Sequence, residues 1–201
     1  MPLSTEIKIL TKIKKAKRGT LFFISDFIKF GNAKAVSKAL QRLVKKQKIQ
    51  RVARGIYARL RRSEFGGYVQ PGADTIAKAI ARKDRAKLIP TGAMAQHLLG
   101  LSTQIPMRVV YLTDGSPRKI ILGKQTILFK KTTPKYLAVR GELSQLVIQA
   151  LKDIGNGLYT KDEEEKIIKW LKKEKRTNLE HDIRLAPAWI QNIMRKALEN
   201  E

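Results

Sequence analysis

The stretch that decides the fold is residues 32–57, NAKAVSKALQRLVKKQKIQRVARGIY. In its first half, apolar side chains recur at the spacing that places them on one face of an α-helix. These apolar residues are Val36, Leu40, Leu43 and Val44. The opposite face is polar and cationic and has no acid to balance it; its residues are Lys34, Ser37, Lys38, Gln41, Arg42 and Lys45. The pattern predicts an amphipathic helix with a basic outer face, and Asn32 is placed to cap it.

The second half of the stretch predicts a short β-hairpin. One strand contains Ile49 and Val52, and the returning strand contains Ile56 and Tyr57. Gly55 lies in the turn between them, where it is free to adopt a positive φ. A basic amphipathic helix followed by a basic hairpin is typical of a winged helix-turn-helix, in which the helix enters the major groove and the hairpin touches the flanking backbone.

The residues before this stretch supply the other elements of such a domain. Ser4 or Thr5 is placed to cap a first helix. Residues 20–24 predict a short strand, and Ser25 is placed to cap a brief helix that ends at Phe30. Helix, strand, helix, helix and hairpin follow one another in the order of a winged helix-turn-helix.

The charge of the chain points to a polyanionic partner. The 201 residues include 42 Lys and Arg against 17 Asp and Glu, for a net charge of +25. Residues 1–65 alone carry 18 basic and 3 acidic side chains, a net charge of +15. The excess is therefore concentrated around the predicted helix and hairpin, and the simplest partner for it is nucleic acid.

Composition also excludes several classes of protein. The chain has no cysteine, which excludes a disulfide framework and thiolate metal sites and agrees with a cytoplasmic location. No apolar run approaches the roughly 20 residues of a membrane span. A basic amphipathic helix can instead lie on a membrane surface. That alternative is the weaker one, because the charged stretches alternate with turn and strand signals.

The predicted interface divides into residues that read bases and residues that hold phosphates. Asn and Gln can pair bidentately with adenine, and Lys can donate to guanine. The residues predicted to point into the groove are Asn32, Lys34, Ser37, Lys38 and Gln41. Phosphate contacts fix the register and make binding depend steeply on salt. The residues predicted to make them are Arg42, Lys45, Arg51, Arg54 and Arg59.

The rest of the chain predicts a second domain. Residues 63–72 contain Gly66-Gly67 and Pro71-Gly72 without periodicity, which predicts a linker between an N-terminal domain, 1–62, and a C-terminal domain, 73–201. The C-terminal part contains three β-rich runs separated by turns, and several helical patterns. The predicted fold class is α+β: a winged helix-turn-helix, then a domain with a small antiparallel sheet and several helices.

No constellation in the sequence predicts catalysis, a metal or a cofactor. The two histidines, His97 and His181, are far apart. The acidic run Asp162–Glu165 follows Thr160 in a capping-box pattern, so it is more simply the start of a helix than a metal site. Asp114-Gly115-Ser116 suggests a nucleotidyltransferase turn, but the strand that follows offers no carboxylate. The sequence therefore predicts a protein that is not an enzyme.

Two segments resemble a known family. VKKQKIQRVARGIYAR, residues 44–59, resembles the winged-helix domain of AbiEi-type antitoxins. TGAMAQHLLGLSTQIPMRVVYLTDGSPRKIILGKQTILFKK, residues 91–131, resembles the start of their C-terminal domain. The LST…P…VYLTDG segment is the more distinctive of the two. The resemblance covers roughly residues 5 to 155, and the helical patterns after Thr160 match no motif of the family.

The resemblance implies the regulator half of a bacterial abortive-infection, type IV toxin–antitoxin operon. Such a protein represses its own operon at inverted repeats, as a monomer or a weak dimer on DNA. Its C-terminal domain counters a nucleotidyltransferase-like toxin, generally without a stable complex. Two alternatives remain open: a tRNA-binding protein that shields the target of the toxin, and an enzyme that modifies the toxin. RNA modules commonly stack bases on exposed aromatics, whereas aromatics are only 6% of this chain.

Overall fold

A computed structural model of the chain describes residues 4–199, except for the side chain of Lys135. The predicted mixed α+β class is confirmed, because helices alternate with two small sheets. Among the helices of residues 4–199, none combines the length and apolar character needed to cross a membrane.

The chain separates into two compact units. The N-terminal unit contains the residues up to Ala79 together with 120–122, and the C-terminal unit contains 80–119 and the residues from 123 onward. The predicted limits at 1 and 201 lie outside the described residues. The predicted linker at 63–72 stays a prediction.

The N-terminal unit begins with three helices and a three-stranded sheet. Its elements are α1 (Thr5–Lys15), β1 (Leu21–Phe23), a 3-10 helix (Ile24–Phe30), α2 (Ala33–Lys45), β2 (Gln50–Ala53) and β3 (Ile56–Ala58). The sheet is antiparallel with the order β1-β3-β2. Thus β3 takes the central position, and the chain folds back from α2 through β2 to reach it.

A small apolar core holds these helices and strands together. Ile9 and Ile13 of α1 meet Leu40 and Leu43 of α2, and Phe27 of the 3-10 helix is buried with them. Burying a side chain of this size contributes roughly 1.5–3 kcal/mol each. Packing rather than helix propensity therefore fixes which face of α2 points inward.

The brief helix after β1 begins differently from the prediction. Ser25 was predicted as its cap, and this is wrong, because the 3-10 helix already begins at Ile24. The cap bond is made by Asp26, whose Oδ2 accepts a hydrogen bond of 2.7 Å from the backbone N–H of Phe23. The carboxylate, with its full negative charge, takes this role at the positive end of the helix.

The remaining elements start with α3 (Ala73–Asp84), inside which the division between the units falls. The elements that follow are β4 (Leu88–Pro90), α4 (Ala93–Leu98), β5 (Arg108–Thr113), β6 (Arg118–Leu122), β7 (Gln125–Lys131), α5 (Pro134–Leu137), α6 (Glu142–Ile154), α7 (Lys161–Leu171), α8 (Arg176–Ile183) and α9 (Ala188–Lys196). Thr160 and Glu163 form the predicted capping box of α7.

The second sheet is mixed, so the prediction of a small antiparallel sheet is wrong. Its strand order is β4-β5-β7-β6, with β4 and β5 antiparallel but β5 and β7 parallel. Side-chain burial differs between the interior strand β7 and the edge strand β6. Ile127 and Phe129 of β7 are buried and suit an interior strand, whereas Ile121 of β6 is 63% exposed and suits an edge.

Helix α6 is the centre of a helical cluster in the C-terminal unit. Its buried residues Val147 and Leu151 pack with Ile167 of α7, Leu179 of α8 and Ile190 of α9. This cluster contains the helices beyond Thr160, which match no motif of the AbiEi-type family, so these helices are integral to the core of the unit.

Two carboxylates from outside α6 satisfy backbone groups at its start. Asp182 is fully buried, and its two oxygens accept hydrogen bonds from the backbone N–H groups of Arg140, at 2.9 Å, and Gly141, at 2.8 Å. Glu174 Oε2 accepts a bond of 2.9 Å from the N–H of Leu143. The first N–H groups of a helix have no partner within the helix, so these acids act as caps in trans.

Replacing Asp182 with alanine is expected to lower the free energy of unfolding by about 2–3 kcal/mol, because two backbone donors lose their acceptor. The measurement is urea denaturation followed by circular dichroism. The control is Glu180→Ala, which removes an exposed carboxylate of the same helix and is expected to cost less than about 0.5 kcal/mol. Equal midpoints for the two variants would contradict the capping role.

Candidate nucleic-acid interface

The outer face of α2 presents a row of cations to solvent. Lys34, Lys38, Arg42 and Lys45 are exposed, together with Gln41, and Ser37 is half-buried among them. The inner face carries Val36, Leu40 and Leu43, all buried. The amphipathic pattern predicted for this stretch is thus present, and burial of the apolar face directs the basic face outward.

The hairpin after α2 adds two further cations. β2 and β3 are joined by a two-residue turn at Arg54-Gly55, and Gly55 has the predicted positive φ, +76°. Arg51 and Arg54 are exposed. The register of the hairpin shifts between Arg51 and Ala53, which marks a β-bulge of the kind that twists a strand end. Arg54 therefore projects at the tip of the hairpin.

These cations are not neutralised within the part of the chain that the structure describes. No acidic side chain there forms an ion pair with Lys34, Lys38, Arg42, Lys45, Arg51 or Arg54. Lys46 differs, because its Nζ lies 2.6 Å from Glu6 Oε1 of α1. Unpaired cations on one surface sum to a positive potential that attracts a polyanion and is screened by salt.

Asn32 has the predicted capping role, which bears on its predicted contact with bases. Its Oδ1 accepts a hydrogen bond of 2.8 Å from the N–H of Ala35, so it is the N-cap of α2 as the sequence predicted. Bidentate pairing with adenine needs both the oxygen and the nitrogen of the amide. Since the oxygen already caps the helix, Asn32 is poorly suited to that contact.

Arg59 is also held by the fold. Its Nη2 donates a hydrogen bond of 3.3 Å to the backbone oxygen of Ala16, just after α1. Its Nε is buried and has no partner within residues 4–199. The guanidinium therefore ties the end of β3 to the end of α1 and is less available to a phosphate than Arg51 or Arg54.

One basic feature next to the hairpin was not among the predicted site residues. Residues 61–69 form a turn in which Arg62 pairs with Tyr68. A cavity of about 660 Å³ separates this turn from β2 and is lined by Arg51 and Arg62, among others. Phe65 at the tip is 99% exposed. The signal in the sequence was the basic run RLRRS followed by two glycines, which also suits a linker.

His181 and Glu164, which the sequence offered as weak metal-site candidates, have partners within the described residues. Among residues 4–199, no three His, Asp or Glu side chains are grouped so that they could hold an ion. His181 Nδ1 lies 2.8 Å from Asp182 Oδ1. Glu164, within the acidic run, lies 2.6 Å from Lys196 Nζ, and this hydrogen bond raises the pKa of that ammonium.

The chain belongs to a family of unknown function, DUF6088, whose model matches residues 8–179. The match includes α2, the hairpin, the mixed sheet and most of the helical cluster. A comparison with curated proteins gave no match.

Asn32→Ala is expected to lower the free energy of unfolding by about 1 kcal/mol through loss of the N-cap, whereas Asn32→Ser should change it by only a few tenths, because serine caps about as well. Thermal and urea denaturation of both variants measure this. If alanine and serine destabilise equally, the side-chain cap does not contribute.

Proposed function

We propose that this protein is a DNA-binding transcriptional regulator and that its N-terminal unit is a winged helix-turn-helix. The observation that carries the proposal is the row of unpaired cations on α2, continued by Arg51 and Arg54 on the hairpin. In this proposal α2 enters the major groove, and the hairpin, as the wing, contacts the flanking backbone.

The arrangement of the N-terminal elements supports this assignment. The order is helix, strand, short helix, helix and hairpin, and β1 pairs with β3 rather than with β2. α1 packs against α2 from the side opposite its basic face, through Ile9, Ile13 and Leu40. A recognition helix needs such a support, because contacts to base edges depend on a fixed orientation.

The proposed contacts follow from the position of each side chain. Lys34, Ser37, Lys38 and Gln41 face the bases, and Arg42, Lys45, Arg51 and Arg54 hold phosphates. Asn32 and Arg59 contribute mainly through the cap and the bond to Ala16. The major groove of B-DNA is wide enough for one helix. Each good bidentate contact favours the correct base over a wrong one by about 1–3 kcal/mol.

Lys38→Ala and Arg54→Ala are each expected to weaken binding to the DNA upstream of the gene, by about 5- to 100-fold, through loss of a base or phosphate contact. Arg54→Ala should also reduce the slope of log K against log salt by about 1. Fluorescence anisotropy across a salt series measures both effects.

The matched control is Lys169→Ala, which removes an exposed lysine of α7 outside the proposed interface. It is expected to bind DNA within about 2-fold of the parent chain, since one screened distant charge has little effect. Should all three variants behave alike, the docking of α2 and the wing would be wrong.

Specificity is tested by comparing the upstream duplex with a scrambled duplex and with tRNA. Selective binding to the upstream duplex supports a regulator. Preference for tRNA would instead favour the alternative in which the protein shields an RNA target. Equal binding to all three would reduce α2 and the hairpin to a general polyanion surface, because phosphate contacts alone carry no sequence information.

The resemblance to AbiEi-type antitoxins extends the proposal to the C-terminal unit. In that extension the protein is cytoplasmic and non-catalytic, represses its own operon at inverted repeats, and counters a nucleotidyltransferase-like toxin without a stable complex. Co-expression with the adjacent gene tests it: the chain should relieve growth arrest, and Lys38→Ala should preserve relief while impairing repression. Growth arrest that persists with the parent chain would overturn the antitoxin role.

A further inference from the structure

A polar cavity in the C-terminal unit has the features of a ligand site. It has a volume of about 380 Å³, within the range of about 300–1,000 Å³ typical of small-molecule pockets. It lies between β5, β7, the end of α6 and the residues that precede α4. The side chains that matter here are Arg108, Lys130, Gln149, Lys152 and Asp153.

Three cations converge on this cavity. In the parallel register of β5 and β7, Arg108 lies opposite Thr126 and Lys130 lies opposite Leu112, so both basic side chains belong to the same face of the sheet. Lys152 reaches the cavity from α6. Within residues 4–199 none of the three forms an ion pair with an acid, which leaves them available to an anion.

Gln149 is a further polar side chain that is available to a ligand in this cavity. It is only 8% exposed, and its side-chain amide has no hydrogen-bond partner in the described chain. It lines the polar cavity and also a neighbouring one. Because Gln149 lines the cavity, its amide can donate to and accept from a ligand bound there.

The neighbouring cavity is smaller, and most of its lining residues are apolar or aromatic. Its volume is about 230 Å³, and it shares Gln149 and Lys152 with the first. Its other lining residues include Tyr136, Ile148 and Pro187. Lys152 Nζ lies 4.4 Å from the centroid of the Tyr136 ring, a cation–π contact that places the cation at the junction of the two cavities.

Asp153 distinguishes this site from one for a bare anion. Its Oδ2 accepts a hydrogen bond of 2.8 Å from Gln96 Nε2, which orients the carboxylate. Gly92 permits the close approach, because a Cβ at this residue would stand 3.0 Å from Asp153 Oδ1. A carboxylate repels a phosphate group but accepts a hydrogen bond from a hydroxyl, as acidic residues do from the ribose of dinucleotides.

We propose that the two cavities form one site for a free ribonucleotide. The phosphates lie at Arg108 and Lys130, a ribose hydroxyl donates to Asp153, and the base occupies the smaller cavity near Tyr136. Gln149, at the junction, hydrogen-bonds the ligand. The site uses only residues of the C-terminal unit, so the proposal does not depend on DNA binding by the N-terminal unit.

The test is isothermal titration calorimetry of the full chain with ATP, GTP, CTP and UTP at physiological salt. At least one of them is expected to bind with 1:1 stoichiometry, and its 2′-deoxy or 3′-deoxy form should bind more weakly. Lys130→Glu should weaken binding at least 10-fold, since it reverses a charge at the phosphates. Lys152→Ala is a milder change, because it removes a charge without reversing it, and Lys152 is exposed. It should weaken nucleotide binding several-fold.

Two controls separate this site from general attraction of anions to a basic protein. Lys169→Glu reverses an exposed charge on α7, and Arg54→Ala removes a cation of the hairpin; each should leave nucleotide affinity within 2-fold. The proposal is overturned if no ribonucleotide binds at millimolar concentration, if Lys130→Glu and Lys169→Glu weaken binding equally, or if inorganic triphosphate binds as tightly as the nucleotide. Tighter Lys130-dependent binding of a short RNA would also overturn the assignment of a free nucleotide.

Discussion

The burial of one apolar stripe on α2 is the constraint on which the N-terminal unit depends. Val36, Leu40 and Leu43 are at most 1% exposed, and they pack against α1 and the 3-10 helix. The rotation of α2 about its own axis is therefore fixed by packing. Because the cations occupy the remaining face, the same burial decides which side chains can meet a ligand, and the sharp turn at Gly55 adds Arg54 to that set.

In the C-terminal unit the position of α6 likewise decides which side chains line a cavity, and here acidic residues hold the start of the helix. Two acids of one segment, Glu174 and Asp182, satisfy the start of α6, and α6 in turn supplies Gln149 and Lys152 to the cavity beside the sheet. In the N-terminal unit a cationic surface is left unpaired, while in the C-terminal unit the buried Asp182 and the half-buried Glu174 accept hydrogen bonds from the backbone. Charged side chains therefore have two different roles in this strongly basic chain: cations form an exposed surface, and carboxylates cap a helix.

Local patterns in the sequence predicted local structure well. The period of α2, the cap at Asn32, the capping box at Thr160 and the turn at Gly55 each depend on residues only a few positions apart. The prediction of the second sheet was wrong because strand pairing depends on distant partners, whereas the error at Ser25 was local, since the neighbouring Asp26 makes the cap bond. The parallel pairing of β7 with β5 is a relation between two strands, and the pattern of neither strand alone displays it.

The same limit applies to the candidate sites. The face of α2 is contiguous in its helical period, so its residues could be found from spacing. The bond from Arg59 to Ala16, which makes that guanidinium less available to a phosphate, joins residues 43 positions apart. Arg108, Lys130 and Lys152 come from three elements, so only the fold brings them together. The hydrogen bond from Gly141 to the distant Asp182 also affects folding during synthesis. The start of α6 stays uncapped until the ribosome has released the chain beyond α8, whereas α1 through β3 can fold much earlier.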